Sequence, residues 1–142
     1  MRFMIIRKAD KETEAGKLPN KELISDMLNY NQELAKAGLL LDGMGLQSTS
    51  KAVRVKFSGG KPKITDGPFT ETKELIAGFT LIQAKSREEA LEWVKRWPTS
   101  DATGNVELEI RQVYEAEDLG PEFTAALQEQ EELLRKQLSK KS

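Results

Sequence analysis

The chain has 142 residues, 22 basic and 23 acidic, for a formal net charge of −1, and it contains neither cysteine nor histidine. That length suits one domain, and the balanced charge lacks the basic excess of a nucleic-acid binder. With those two residue types absent, disulfides, Ser-His-Asp and Cys-His machinery and imidazole or thiolate metal sites are excluded. Acid–base chemistry is left to Asp, Glu, Lys and Tyr.

The opening run Phe3-Met4-Ile5-Ile6 is apolar at every position, which predicts a strand buried on both faces. It is too short for a signal peptide, and no run approaches the ~20 apolar residues of a membrane span. A cytoplasmic location, with no membrane partner, is therefore expected. Residues 8–19 are charged and read as a loop, with Asp10, Glu12 and Glu14 in water. Asn20 is a suitable N-cap for a helix whose apolar positions are Leu23, Ile24, Met27, Leu28, Tyr30, Leu34 and Ala35. Gly38 suits the left-handed position after its end.

Leu39–Leu41 begin a second strand, and Gly43 and Gly45 suggest a bend or bulge. Val53, Val55 and Phe57 alternate with Arg54 and Lys56, and Ser58-Gly59-Gly60-Lys61 reads as a hairpin turn with a short return strand at 63–65. Phe79–Ala84 form a strand that is again largely apolar on both faces. Ser86 and Glu89 have capping-box spacing for a helix that turns Ala90, Leu91, Val94 and Trp97 inward and stops at Pro98. Val106, Leu108 and Ile110 alternate with Glu107, Glu109 and Arg111 in a closing strand. Beyond Gly120-Pro121, the residues Phe123, Leu127, Leu134 and Leu138 mark an amphipathic helix, read as acidic in its first turns and basic in its last.

The order predicts an α+β domain of the ferredoxin-like split βαβ type over residues 1–117, with helices on one face of an antiparallel sheet, and a C-terminal helical extension over 118–142. Two helices cover one sheet face. The apolar residues on the other face call for a second copy of the chain, a homodimer, or for the C-terminal helix.

The densest concentration of special residues is Asp66-Gly67-Pro68-Phe69-Thr70-Glu71-Thr72-Lys73-Glu74. Asp66 is a candidate general base, or a turn-former bonded to its own backbone. Lys73 and Glu74 are a candidate acid–base pair, or solvated surface charges. Thr70, Thr72 and Glu71 are candidate ligand contacts. Arg111 is a candidate holder of an anionic group through its planar fork, or one half of a cross-strand ion pair. No carboxylate spacing points to a metal, and neither a Walker loop nor a dinucleotide fingerprint is present, so no cofactor is expected.

The run DGPFTETKELIAGF resembles the signature of the YCII-related, or DGPF-domain, family. The opening strand, Gly43-Met44-Gly45-Leu46, Glu89-Ala90-Leu91-Glu92-Trp93 with Pro98, and Glu109-Ile110-Arg111 are similar to further family positions, although Gln112 stands where a proline is usual. The resemblance implies a ferredoxin-like dimeric α/β barrel. Related branches include enzymes that use a His-Asp pair, among them a dehydrochlorinase; a chain without histidine cannot carry that pair. Two functions follow as expectations. One is a homodimer binding a small anionic molecule between the sheet and the DGPF segment, with a lyase- or isomerase-like reaction in which Asp66, Lys73 and Glu74 act and Arg111 holds the substrate. The other is a non-catalytic module for a protein partner, with the link to extracytoplasmic-function sigma factors that the resemblance brings.

Overall fold

The computed structural model describes residues 1–140, the side chain of Thr72 excepted. The chain separates into two compact units, the first spanning Met1–Gln112 and the second beginning at Val113. The first unit contains strands β1 (Arg2–Lys8), β2 (Leu40–Gly45), β3 (Val53–Ser58), β4 (Lys61–Asp66), β5 (Ile76–Gln83) and β6 (Leu108–Gln112), with helices α1 (Lys11–Glu14), α2 (Lys21–Lys36) and α3 (Arg87–Val94). Four strands make an antiparallel sheet in the order β2-β5-β1-β6. That is the ferredoxin-like arrangement, with the β3–β4 ribbon inserted between its second and third strands.

The alternation of β1 sorts its side chains onto the two faces. Phe3 and Ile5 pair with Ile82 and Thr80 of β5 and, with them, are buried on one face. Tyr30 and Leu34 of α2, with Leu39, Ala84 and Ala90, close over Phe3, Ile5 and Ile82 to form the core, and Met27, Trp93, Val94 and Trp97 pack at its edge. The expected helical stripe is thus trimmed. Ile24 and Leu28 stand exposed, because the residues that meet the sheet are those in register with Tyr30 and Leu34. Leu91 is likewise exposed, and Trp93 packs on the core in its place.

Helix boundaries follow local chemistry. Asn20 accepts from the Leu23 amide to start α2, and Gly38 and Leu39 donate back to Ala35 and Leu34 to end it, a Schellman closure. Ser86 accepts from the Glu89 amide at the start of α3. The segment 8–19, expected to be a loop, contains α1, because Asp10 and Thr13 satisfy each other's backbone amides in a reciprocal capping pair. The Gly43–Gly45 stretch stays within β2. The irregularity lies one step earlier, between Leu40 and Asp42, and a Cβ on Gly78 would lie 3.0 Å from the Met44 carbonyl oxygen across the strand pair.

The other sheet face carries Met4 and Ile6, opposite Leu81 and Phe79 of β5 and Arg111 and Glu109 of β6. Met44 of β2 joins them beside Phe79. Ile6 is buried, Met4, Phe79 and Leu81 are half-buried, and Met44 is exposed.

Strands β3 and β4 form a separate two-stranded ribbon, joined by a turn in which Gly59 and Gly60 both have positive φ. One side carries Val53, Val55, Phe57 and Ile64, between 52% and 68% exposed. The other carries Arg54, Lys56 and Lys63, the two lysines directly opposite one another. The ribbon ends at a clamp. The Gly67 amide donates to the Ala52 carbonyl at 2.9 Å, the Gly67–Pro68 peptide is cis, and the Phe69 amide donates to the Thr49 hydroxyl at 3.0 Å. Thr49 itself begins a 3-10 turn, Thr49–Lys51.

In the second unit, α4 (Ala125–Ser139) is capped by the Thr124 hydroxyl. Its first turn holds no acidic residue, a departure from the expected charge gradient; Glu129, Glu131 and Glu132 lie further along, and Lys136 sits in the last turn. Phe123, Leu127, Leu133 and Leu134 line a shallow apolar concavity along it.

Two of these contacts can be tested through stability. A Cβ at position 67 would collide with the Thr49 carbonyl oxygen, a backbone atom that cannot rotate away. Gly67→Ala is therefore expected to lower unfolding stability by ~1–3 kcal/mol, read from urea denaturation, while Gly45→Ala, where the added carbon meets only the Ala77 carbonyl oxygen at 4.0 Å, is expected to cost less. Burial raises the Tyr30 phenol to about 12, and its hydroxyl donates to the Trp93 carbonyl at 2.7 Å. Because the folded value lies above that of the unfolded chain, this contribution is complete below the ordinary tyrosine value of about 10 and declines as pH rises toward 12. Denaturant melts between pH 9 and 12 should show the loss, and Tyr30→Phe should flatten it.

Candidate functional site

Arg7 lies near the end of β1 on the helix-covered side, where a guanidinium must be paired to be buried. Asp101, from the loop after α3, meets it with both carboxylate oxygens: Arg7 Nη2 donates to Oδ1 at 2.6 Å and Nε to Oδ2 at 3.2 Å. The Trp97 indole Nε1–H donates to the same Oδ2 at 2.9 Å. Arg7 Nη1 reaches the Lys8 carbonyl at 2.8 Å and Asp10 Oδ2 at 3.1 Å. Burial alone would lower the Arg7 pKa, but the two carboxylates outweigh it and the guanidinium is held more firmly protonated than usual. Burial alone would likewise raise Asp10; the Thr13 amide and Arg7 outweigh that and pull its carboxyl below the ordinary value.

The loop that presents Asp101 is strained. Ala102 and Thr103 have φ of 50° and 51°, left-handed values that side chains with a Cβ rarely adopt, and Gly104 follows at 85°. The Asn105 amide nitrogen donates back to the Thr103 carbonyl at 3.2 Å.

These groups border a cavity of about 280 Å³ lined by Arg7, Lys8, Ala9, Asp10, Lys11, Lys73, Asn105 and Glu107. Three of its lysines come from three different segments: Lys8 from the end of β1, Lys11 from the start of α1, and Lys73 from the 3-10 turn Thr72–Glu74 after the DGPF motif. Lys73 is held close to β1 because the next buried residue, Leu75, accepts from the Ala9 amide at 2.9 Å. Asp10 and Asp101 are already bonded to Arg7, so the carboxylate left to the three ammonium groups in this lining is Glu107.

The residues singled out in the sequence are not gathered in one place. Lys73 lines the cavity. Asp66 is exposed at the end of β4, paired across the ribbon with Val53. Glu71 pairs with Arg54 at 3.6 Å, and the Arg54 guanidinium lies 3.7 Å from the centre of the Phe69 ring. Thr70 and Glu74 are exposed, and the side chain of Thr72 lies outside the described residues. Arg111 stands on the helix-free face of the main sheet, 3.5 Å from Glu109 and largely in solvent. Asp66 and Arg111 thus belong to different sheets. Arg7, Lys8, Lys11 and Asp101 were not among the sequence candidates. The sole signal for Arg7 and Lys8 was a charged pair closing an otherwise apolar run, and nothing in the sequence marked Lys11 or Asp101.

Among the described residues no group of three Asp or Glu side chains is arranged to hold a metal ion, and no helix is long and apolar enough to cross a membrane.

The chain has recognisable relatives. An uncharacterized protein of Rhizobium meliloti (strain 1021) is 30% identical over 105 residues, covering 73% of this chain and 85% of that one. Among solved structures, the 5-chloro-2-hydroxyhydroquinone dehydrochlorinase from Burkholderia phenoliruptrix AC1100, in complex with 2,5-dihydroxybenzoquinone, is 16% identical, covering 83% of this chain and 99% of that chain with a TM-score of 0.40. The model of the YCII-related domain matches residues 1–117, and the chain belongs to that family.

Proposed function

We propose that this protein binds a small anion, a carboxylate or phosphate, in the cavity between the end of β1 and the segment that follows the DGPF motif. The observation that supports the reading is that Lys8, Lys11 and Lys73 line one concavity in which Asp10 is already engaged by Arg7 and Glu107 is the one other carboxylate of the lining, so cations outnumber the acidic groups. Three ammonium groups brought together from separate segments repel one another, and an anion relieves that repulsion. The Asn105 side chain, also in the lining, has its nitrogen bonded back to the loop and leaves its amide oxygen to accept from a neutral part of the ligand.

In this reading Lys73 is a ligand-binding residue, and a proton donor if the bound molecule reacts. Asp66 is a turn residue at the foot of the ribbon. Arg111 belongs to a different surface, the helix-free sheet face, where it and Glu109 border the apolar residues Met4 and Ile6. The protein is further proposed to act as a homodimer. The support is the ribbon, whose Val53, Val55, Phe57 and Ile64 side is more than half exposed while the lysines of the opposite side are suited to water.

Inorganic phosphate is a sufficient probe. Calorimetric titration should show saturable binding that weakens as salt is raised. Lys73→Met should reduce affinity about tenfold or more, the value of one hydrogen bond to a charged group, and Asp66→Asn should leave it unchanged. No saturable phosphate binding, or an Asp66→Asn loss equal to that of Lys73→Met, would overturn the assignment.

Light scattering tests the assembly. A particle of twice the 16.0 kDa chain mass is expected at micromolar concentration, and Phe57→Asp should shift it toward the monomer. A parent chain that stays monomeric at tens of micromolar refutes the dimer.

A further inference from the structure

Glu14 is the last residue of α1, the short helix whose cap Asp10 and first residue Lys11 line the cavity. Its carboxylate turns away from the cavity and takes both donors of Thr49. Oε1 accepts from the Thr49 backbone amide at 3.1 Å, and Oε2 accepts from the Thr49 hydroxyl at 2.5 Å. With its proton committed to Glu14, the Thr49 hydroxyl presents a lone pair to the Phe69 amide, 3.0 Å away. The same 3-10 turn receives Gly67, whose α-carbon sits against the Thr49 carbonyl and whose amide donates to Ala52.

The chain from Phe69 to Leu75 is therefore fixed at two ends. At Phe69 it is tied through Thr49 to Glu14; at Leu75 it is tied to Ala9, a residue of the cavity wall. Lys73 lies between these anchors, within the turn closed by the Glu74 amide on the Glu71 carbonyl. The carboxylate is suited to the task because it is acceptor-only: both its oxygens serve both Thr49 donors at once, which a neutral amide cannot do.

We propose that Glu14 is a positioning residue that, through Thr49 and the DGPF turn, sets Lys73 at the cavity. The inference rests on the anion-binding reading for its consequence. The latch itself is a property of the fold and is testable without ligand.

The experiment combines phosphate titration with amide hydrogen exchange on the full chain. Glu14→Gln should weaken phosphate binding about tenfold. It should speed exchange of the Phe69 amide by a similar factor while the Ile5 and Ile82 amides of the core strands keep their protection. Combined with Lys73→Met, Glu14→Gln should cause no additional loss of affinity, since it acts through that lysine. Thr49→Ser, which keeps the hydroxyl, should retain more affinity than Thr49→Val, which removes it.

A Glu14→Gln loss of affinity as large in the Lys73→Met background as in the parent would overturn the proposal, as would faster exchange of the core amides in step with Phe69. If the parent binds no phosphate, the anion reading fails alone; unchanged Phe69 protection in Glu14→Gln is the separate result that refutes the latch.

Discussion

The half-buried guanidinium of Arg7 is the constraint around which the cavity end of the first unit is arranged. A charge withdrawn from water must be matched in geometry as well as sign, and Arg7 obtains this from three directions. Asp101 supplies a two-oxygen match from the loop after α3, Asp10 supplies a third contact from the cap of α1, and the Lys8 carbonyl completes the set. Trp97 bonds to the far side of Asp101, and Trp97 also stacks edge-on against Tyr30 of α2, with ring centres 5.4 Å apart. One ion pair thus joins the central strand to the segment after α3 and, through Trp97, to α2. Its requirements also explain the left-handed Ala102 and Thr103: the chain accepts an unfavourable backbone there immediately after placing Asp101.

The same arrangement sets the electrostatics of the cavity. Asp10 and Asp101 could offset the lysines, yet their oxygens are directed at Arg7, at the Thr13 amide and at the Trp97 indole. The lining thus holds four basic residues against Asp10 and Glu107 in a chain whose overall charge is near zero.

Where the sequence was readable, the cause was periodicity. Phe3 and Ile5 alternate with Met4 and Ile6, and the two pairs fall on opposite sheet faces; the helix beginning after Asn20 and the Gly59-Gly60 turn obey equally local rules. The DGPF run is distinctive enough to indicate the family by itself. What local rules could not reach was pairing over distance. Arg7 and Asp101 are separated by 94 positions, and Glu14 and Thr49 by 35, so Asp10 and Glu14 read as solvated charges when they are a cap and a latch. The exposed Ile24 and Leu28 depart from expectation for a related reason: helical spacing shows which residues share a stripe, but the partner surface decides how wide that stripe is.

The ribbon is the clearest case of a local pattern whose meaning is set elsewhere. Val53, Val55 and Phe57 alternate as a half-buried strand would, yet β3 and β4 form a two-stranded sheet of their own among the described residues. Two strands alone are marginal in water, and the directly opposed Lys56 and Lys63 weaken the pair further. The ribbon is therefore held from its foot, where Gly67 sits against Thr49 and the Arg54 guanidinium covers Phe69. On this account the DGPF motif is first a fastening. Glycine gives the close approach, and phenylalanine gives a ring for Arg54 and an amide for Thr49, so that the residues after the motif leave from a point tied to the Thr49 turn.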